Sequence, residues 1–288
     1  MAGMTLQEAN VIIEEPLRKG IIETIARESA VLELLPFINI NGNSYSYIQE
    51  KETGNVGFRE VNQRYNHDNP QYVRQNEALT RLGSIVEVDR FIELTQNIHD
   101  VRAEATASKS KAIANMFTDT FFNGNKSTDA LSFDGLSVRV DKDKIITGGK
   151  GADGKLDAQK VHELLDAVHG GADVLYMNKR TRREFTALFA GQGAWIQSGQ
   201  DAFQRPIQYF GDVRIAVVDD QFIKDDSIYA VKFGIENGVV GIQAGFLQAV
   251  DNGLRDVTYQ TLIEWYPSII LGNPNGLAKL EMAEEVQA

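Results

Sequence analysis

The stretch from Ser84 to Asn123 contains neither glycine nor proline and is bounded by Gly83 and Gly124. It opens with strand-like alternation at Ile85, Val86, Val88 and Phe91. It then shifts to helical spacing at Ile98, Val101, Ala105, Ala112, Ile113, Met116, Phe117 and Phe121. The spacing predicts a helix over about 97–122, roughly 35–40 Å long at ~1.5 Å per residue, with Asn123-Gly124 as its stop.

The flanking segments differ sharply. Residues 5–35 are rich in Leu, Ile, Val and Ala and are interrupted by Pro16, which predicts two short amphipathic helices forming an arm that ends at Pro36. From Phe37 to about Leu82 the composition turns to Asn, Gln, Tyr, Gly and Arg, with short alternating pieces such as Tyr45-Ser46-Tyr47-Ile48 and Val56-Gly57-Phe58. That segment has too few apolar residues for a core of its own, yet its Tyr, Val and Ile favour strands. It is expected to project as a two-stranded excursion. Such a ribbon is marginal alone in water and is expected to lean on a neighbouring subunit.

After Gly124 the pattern alternates between helix and strand. The expected elements are a helix from Asp157 to His169, a strand from Val174 to Met177, and a basic helix start at Lys179 to Arg183. A strand from Val213 to Val218 follows, then a hairpin turning at Asn237-Gly238 and a last strand through Val257, Tyr259, Ile263 and Trp265.

The motifs that could carry catalysis fail on inspection. "GKGADGKL", Gly149 to Leu156, has the spacing of a phosphate-cradling loop, but Leu156 stands where a hydroxyl should bind Mg²⁺. It reads better as a turn before a helix, with Asp157 as N-cap and Leu156 stapled against Val161. His162-Glu163 begins a zinc-protease motif that Asp166 fails to close. His162, Asp166 and His169 share one stripe, expected on the solvent side, and two turns of one helix rarely close a coordination sphere. Asp141 and Asp143 lack the remaining ligands of a calcium loop. Asp219-Asp220 and Asp225-Asp226 read as solvated turns. The four cations from Lys179 to Arg183 oppose the helix dipole, and carboxylates at a subunit contact are a better expected compensation than phosphates. No catalytic residue, cofactor or metal is therefore expected.

The absence of cysteine excludes disulfides and thiolate chemistry. A net charge of −11 disfavours a broad grip on nucleic acid. Glu8, Glu14 and Glu15 break any signal-peptide pattern, and no apolar run reaches the ~18 residues of a membrane span.

The order of arm, β excursion, long helix, α/β body and returning strands resembles the tailed-phage major capsid protein family, the Hong Kong ninety-seven type fold that encapsulin compartments share. "FFNG" at 121–124 and "FDGL" at 133–136 resemble the passage from spine helix into axial domain. "LDAQKVHELLDAV" followed by "VLYMNKRTRREFTALF" resembles that domain's helix, strand and next helix. "GDVRIAVVDDQF" resembles its central strand, and "IEWYPSIILGNPNGLAKLE" the closing strands.

The resemblance implies an α+β phage capsid fold. It implies an N-terminal arm (1–38), an extended β-hairpin loop (39–83), a peripheral domain (84–124 and 246–288) containing the spine helix, and an axial domain (125–245). It further implies self-assembly into hexamers and pentamers of an icosahedral shell around double-stranded DNA, located in the virion capsid after synthesis in the host cytoplasm. A separate scaffolding protein, a portal and decoration proteins are the implied partners, with no membrane. Arm, excursion and axial loops fall at subunit contacts, which makes Lys51, Arg59, Arg64, Arg74, Lys179, Arg180, Arg182 and Arg183 candidate inter-subunit residues. No motif surrounds Lys51 that would carry the family's isopeptide cross-link. An encapsulin-type compartment is the alternative within the same fold, and a soluble nucleotide-binding enzyme using the Gly149–Lys155 loop is the alternative from another class.

Overall fold

A computed structural model describes residues 5, 25, 29–52, 56–65, 69, 71–95, 100–151, 155–190, 196–200 and 206–282. Most of the predicted arm helices therefore lie outside the described residues. Where the arm becomes visible it is part of the body. Helix α1 (Ala30–Leu34) is capped by Ser29, whose hydroxyl accepts from the Leu32 amide. Val31, Leu32 and Leu35 are fully buried, and strand β1 (Phe37–Asn39) follows.

The ribbon comprises β2 (Ser44–Glu52) and β3 (Gln71–Ala78), antiparallel from Ser44 opposite Ala78 to Glu52 opposite Gln71, with a bulge at Lys51. β4 (Leu82–Asp89) leads into a short helix α2 (Arg90–Thr95), none of whose residues is buried.

The long helix α3 runs Val101–Asn123, with Asp100 as N-cap accepting from the Ala103 amide. The predicted first turn at 97–99 lies outside the described residues. Gly124 does end the helix, but not as a left-handed cap, because its φ is −55°. Close approach is what requires glycine here. A Cβ at Gly124 would lie 2.3 Å from the Phe133 carbonyl oxygen, and one at Gly135 would lie 2.5 Å from that of Thr120. The "FFNG" and "FDGL" motifs are thus two halves of one tight crossing, tied by the Gly135 amide donating to the Gly124 carbonyl at 2.8 Å. A one-turn helix α4 (Leu136–Arg139) continues from it.

The α/β region builds one seven-stranded mixed sheet. Its elements in chain order are β5 (Ile145–Ile146), α5 (Ala158–Ala167), β6 (Val174–Asn178), α6 (Lys179–Phe189), β7 (Ile196–Gln200), β8 (Pro206–Phe210), β9 (Val213–Val218) and β10 (Ile228–Val231). The last chain segment adds β15 (Leu277–Leu280), giving the order β5-β15-β10-β6-β9-β8-β7. β6 and β9 are parallel neighbours, and every residue of β6 is buried, as expected for a strand covered on both faces. One face carries Leu175, Met177 and Ile215 against Leu164 of α5 and Phe185 and Phe189 of α6. The other carries Tyr176, Ala216 and Tyr229 against α1 and the end of α3.

The Asn237-Gly238 turn does not make the expected hairpin. β10 is flanked on both sides, by β15 and β6, so the strand after the turn, β11 (Val239–Gln243), has no free edge there. It pairs instead with β1 and β14 (Pro267–Leu271) in a separate sheet. A third sheet, in the order β12-β13-β4, joins β12 (Gln248–Arg255) and β13 (Thr258–Trp265) to β4. On its inner face Val86, Val88, Thr261, Ile263 and Trp265 are buried, while Ile85, Glu87 and Val250 point outward, the period-2 division of a sheet covered on one side.

The two three-stranded sheets and α3 meet in one aromatic group. Trp265 packs at a tilt against Phe117, with centroids 4.9 Å apart, and against Phe37 at 5.3 Å, and Phe133 closes the group at 5.6 Å from Phe117. Gly241 makes room, since a Cβ there would lie 2.4 Å from the Phe37 ring. The indole N–H donates to Gln243 Oε1 at 2.8 Å, which satisfies its buried polar group.

Candidate assembly surfaces

The ribbon is largely exposed along its described residues. Apart from Glu77, every residue of β3 is exposed. Tyr45, Tyr47 and Gln49 turn one side of β2 partly inward, and the Gln49 amide donates to the Leu271 carbonyl. Burial raises the pKa of the Tyr47 phenol, with Arg139 opposing. The outer side leaves Ile48 70% and Tyr72 61% exposed, and beyond the strands Val56, Phe58, Val61 and Tyr65 are open to solvent. Apolar exposure along this element marks a candidate contact surface, and Phe91 and Leu94 of α2 and Leu131 are further apolar side chains open to solvent.

The root of the ribbon is fixed by charge. Glu77 is buried and its two carboxylate oxygens take Lys126 Nζ at 2.6 Å and Arg139 at 2.8 Å. Arg139 also donates through Nε to the Asp134 carbonyl, and the Lys126 amide donates to the Asp134 side chain. Thr80 is held twice to the Pro267 carbonyl. This clamp was not legible in the sequence, because its partners lie 49 and 62 residues from Glu77.

The eight candidate cations divide into two groups. Lys51 sits at the ribbon bulge, and its side chain lies outside the described residues. Arg59 curls over the Tyr65 ring, 5.1 Å from its centroid, and Arg64 and Arg74 are exposed. The run at the start of α6 is compensated within the chain. Asn178 caps the helix by accepting from the Thr181 amide. Lys179 pairs with Asp219 and donates its amide to Asp220, and Arg180 pairs with Asp226 at 3.0 Å. The Asp219 hydrogen bond holds the Lys179 ammonium above its ordinary pKa. Three of the acidic residues expected to be solvated turns are therefore the counter-ions of this run. Arg182 is half-buried and Arg183 exposed.

The glycine loop offers no phosphate cradle among the described residues. The Gly151 amide is taken by the Lys155 carbonyl and the Gly149 amide by that of Glu281, while Lys150 and Leu156 form a β-bridge. Asp157 caps α5 by accepting from the Gln159 amide, and Leu156 is buried in one cluster with Val161. Residues 152–154 lie outside the described residues. His162 departs from the expected solvent stripe, because its ring packs against Phe189 and Phe210 at 6.1 and 5.8 Å. Among the described residues no group of His, Asp or Glu is placed to hold a metal ion, and no helix is long and apolar enough to cross a membrane.

An arm-linked sheet, a long helix, a two-sided α/β sheet and a projecting ribbon together make up the fold. The fold matches the SrpI encapsulin of Synechococcus elongatus at a TM-score of 0.69 and 16% identity, over 89% of this chain and 88% of that one. It matches the capsid of a native GTA particle at 0.65 and 12%, over 89% and 90%. It also matches Mycobacterium phage Bobi at 0.63 and 12%, over 96% and 98%. In sequence, residues 15–157 match the family described as Major capsid protein GP7. No curated protein matches the chain. Its fold is thus that of the Hong Kong ninety-seven type capsids, and over residues 15–157 its sequence is similar to the major capsid protein GP7 family.

Proposed function

We propose that this chain is the major capsid protein of a tailed phage, self-assembling into hexamers and pentamers of an icosahedral shell that encloses double-stranded DNA. The carrying observation is the ribbon: a regular element whose root is clamped by Glu77 while its outer face exposes Ile48, Tyr72, Phe58 and Val61. A two-stranded ribbon gains stability by packing against something else, and in a closed array of identical subunits many such contacts add up. In this reading residues 1–38 act as arm, 39–83 as the extended loop, 84–124 with 246–288 as peripheral domain and 125–245 as axial domain. Lys51, Arg59, Arg64, Arg74, Arg182 and Arg183 serve contacts between subunits, while Lys179 and Arg180 stiffen the axial domain from within. The function is structural rather than catalytic. Synthesis in the host cytoplasm with a separate scaffolding protein, a portal and possible decoration proteins completes the assembly. The net charge of −11 lets packaged DNA sit beside the wall without adhering.

Electron microscopy of the purified protein tests the reading. Closed shells or hexagonal capsomers are expected, and a compact monomer at high concentration contradicts it. The similarity to the SrpI encapsulin favours a second reading, a compartment around a protein cargo. Nucleic acid in particles purified from infected cells supports the first, and a co-purifying enzyme without nucleic acid supports the second.

A further inference from the structure

At its outer edge the large sheet opens. β8 follows β9 from Phe210 opposite Val213 to Gln208 opposite Ile215, and the ladder stops there although both strands run on. β8 stays with β7 instead, as far as Pro206 opposite Gln200. Pro206 has no N–H to offer β9, so the β7–β8 hairpin peels away. The cleft left behind has a volume of about 280 Å³. Pro206, Ile207, Ala216 and Val217 form its strand walls, and three charged side chains reach it, Glu33 from α1, Arg182 from α6 and Arg214 from β9 itself.

The charges in this cleft do not balance. Arg214 spends one terminal nitrogen on Glu33 at 2.5 Å. The Nε atoms of Arg214 and Arg182 are buried with no hydrogen-bond partner among the described residues. Among the described residues, two guanidinium groups against one carboxylate leave one positive charge and two buried donors unanswered, in a chain that is strongly acidic overall. Guanidinium groups answer carboxylates best, through paired N–H donors, and a buried donor left alone is costly.

We propose that this cleft is a binding site for one further carboxylate, held by Arg182 and Arg214 beside Glu33. The volume admits a small acid, or one acidic side chain on an extended peptide lying along β9. The proposal rests on this cleft alone and does not depend on the capsid reading.

Calorimetric titration of the full-length protein tests it with three probes at constant ionic strength: acetate, a pentapeptide centred on glutamate, and the same peptide with glutamine. Saturable acetate or glutamate-peptide binding, weakened at least tenfold in Arg182→Gln, supports the site. Arg182→Lys keeps the charge without the Nε donor, and an intermediate affinity is expected. A glutamate peptide at least tenfold tighter than acetate, with the glutamine peptide inert, identifies a polypeptide as the source, whereas equal affinities identify a free acid. No saturable binding, equal binding by wild type and Arg182→Gln, or a glutamine peptide as tight as the glutamate one overturns the proposal. Thermal unfolding of each variant, read alongside, shows that the loss is one of binding and not of folding.

Discussion

The aromatic group at Trp265 and the ribbon at 44–78 are joined through a few residues, yet they solve opposite problems. In the first, Phe37, Phe117, Phe133 and Trp265 come from four distant places in the chain and bury one another completely within one subunit. In the second, two adjacent strands pair with each other and leave their outer side chains in water. Burial inside the subunit stabilises the body on its own, and under the proposed function exposure makes the ribbon a contact for assembly. Glu77 is the hinge of the comparison, because its buried ion pairs let the stable part dictate where the unsatisfied part points.

That contrast can be broken by mutation, and the largest effect belongs to the body. Trp265→Ala should cost about 3–5 kcal/mol, read as a large drop in urea midpoint and loss of soluble protein. Glu77→Gln comes next at about 2–3 kcal/mol, since it leaves Arg139 and Lys126 without their carboxylate. Its shells should also be irregular by microscopy if the clamp sets the angle of the ribbon. In the ribbon itself, Ile48→Asp or Phe58→Asp should move the stability of the isolated subunit by less than about 0.5 kcal/mol while sharply reducing shell yield, measured by sedimentation.

The smallest effect concerns acid. Arg102 first, and then the Gly253 amide, holds the Asp251 carboxyl below its ordinary pKa. A depressed pKa contributes stability above the unfolded value of about 3.9 and loses it as pH falls through the folded value. Asp251→Asn should therefore be slightly less stable at neutral pH, with the gap to wild type closing below about pH 4.

Local signals in the sequence carried far. The glycine-free run predicted α3, Asp157 with Leu156 predicted the start of α5, and the Tyr-rich, core-poor segment predicted a projecting excursion. The misreadings share one cause, which is that tertiary partners decide what a local pattern does. Asn237-Gly238 is a strong hairpin signal, but the edges of β10 were already occupied. The basic run reads as answered by carboxylates at a subunit contact and the Asp219-Asp220 and Asp225-Asp226 pairs as solvated turns, and only the fold brings Asp219, Asp220 and Asp226 of the same chain to the start of α6. His162 sat on a polar stripe until Phe189 and Phe210 closed over it. The candidate surface was half legible: cations drew attention to the ribbon, while its exposed apolar side chains and the root at Glu77 needed coordinates to be seen.

Amide hydrogen exchange, compared between isolated subunits and assembled particles, tests the central claim most directly. The account predicts that amides of α3 and β6 exchange slowly in both states, while those of β2 and β3 gain at least a hundredfold protection only in the particle. Equal protection of β2 and β3 in the isolated subunit would contradict it.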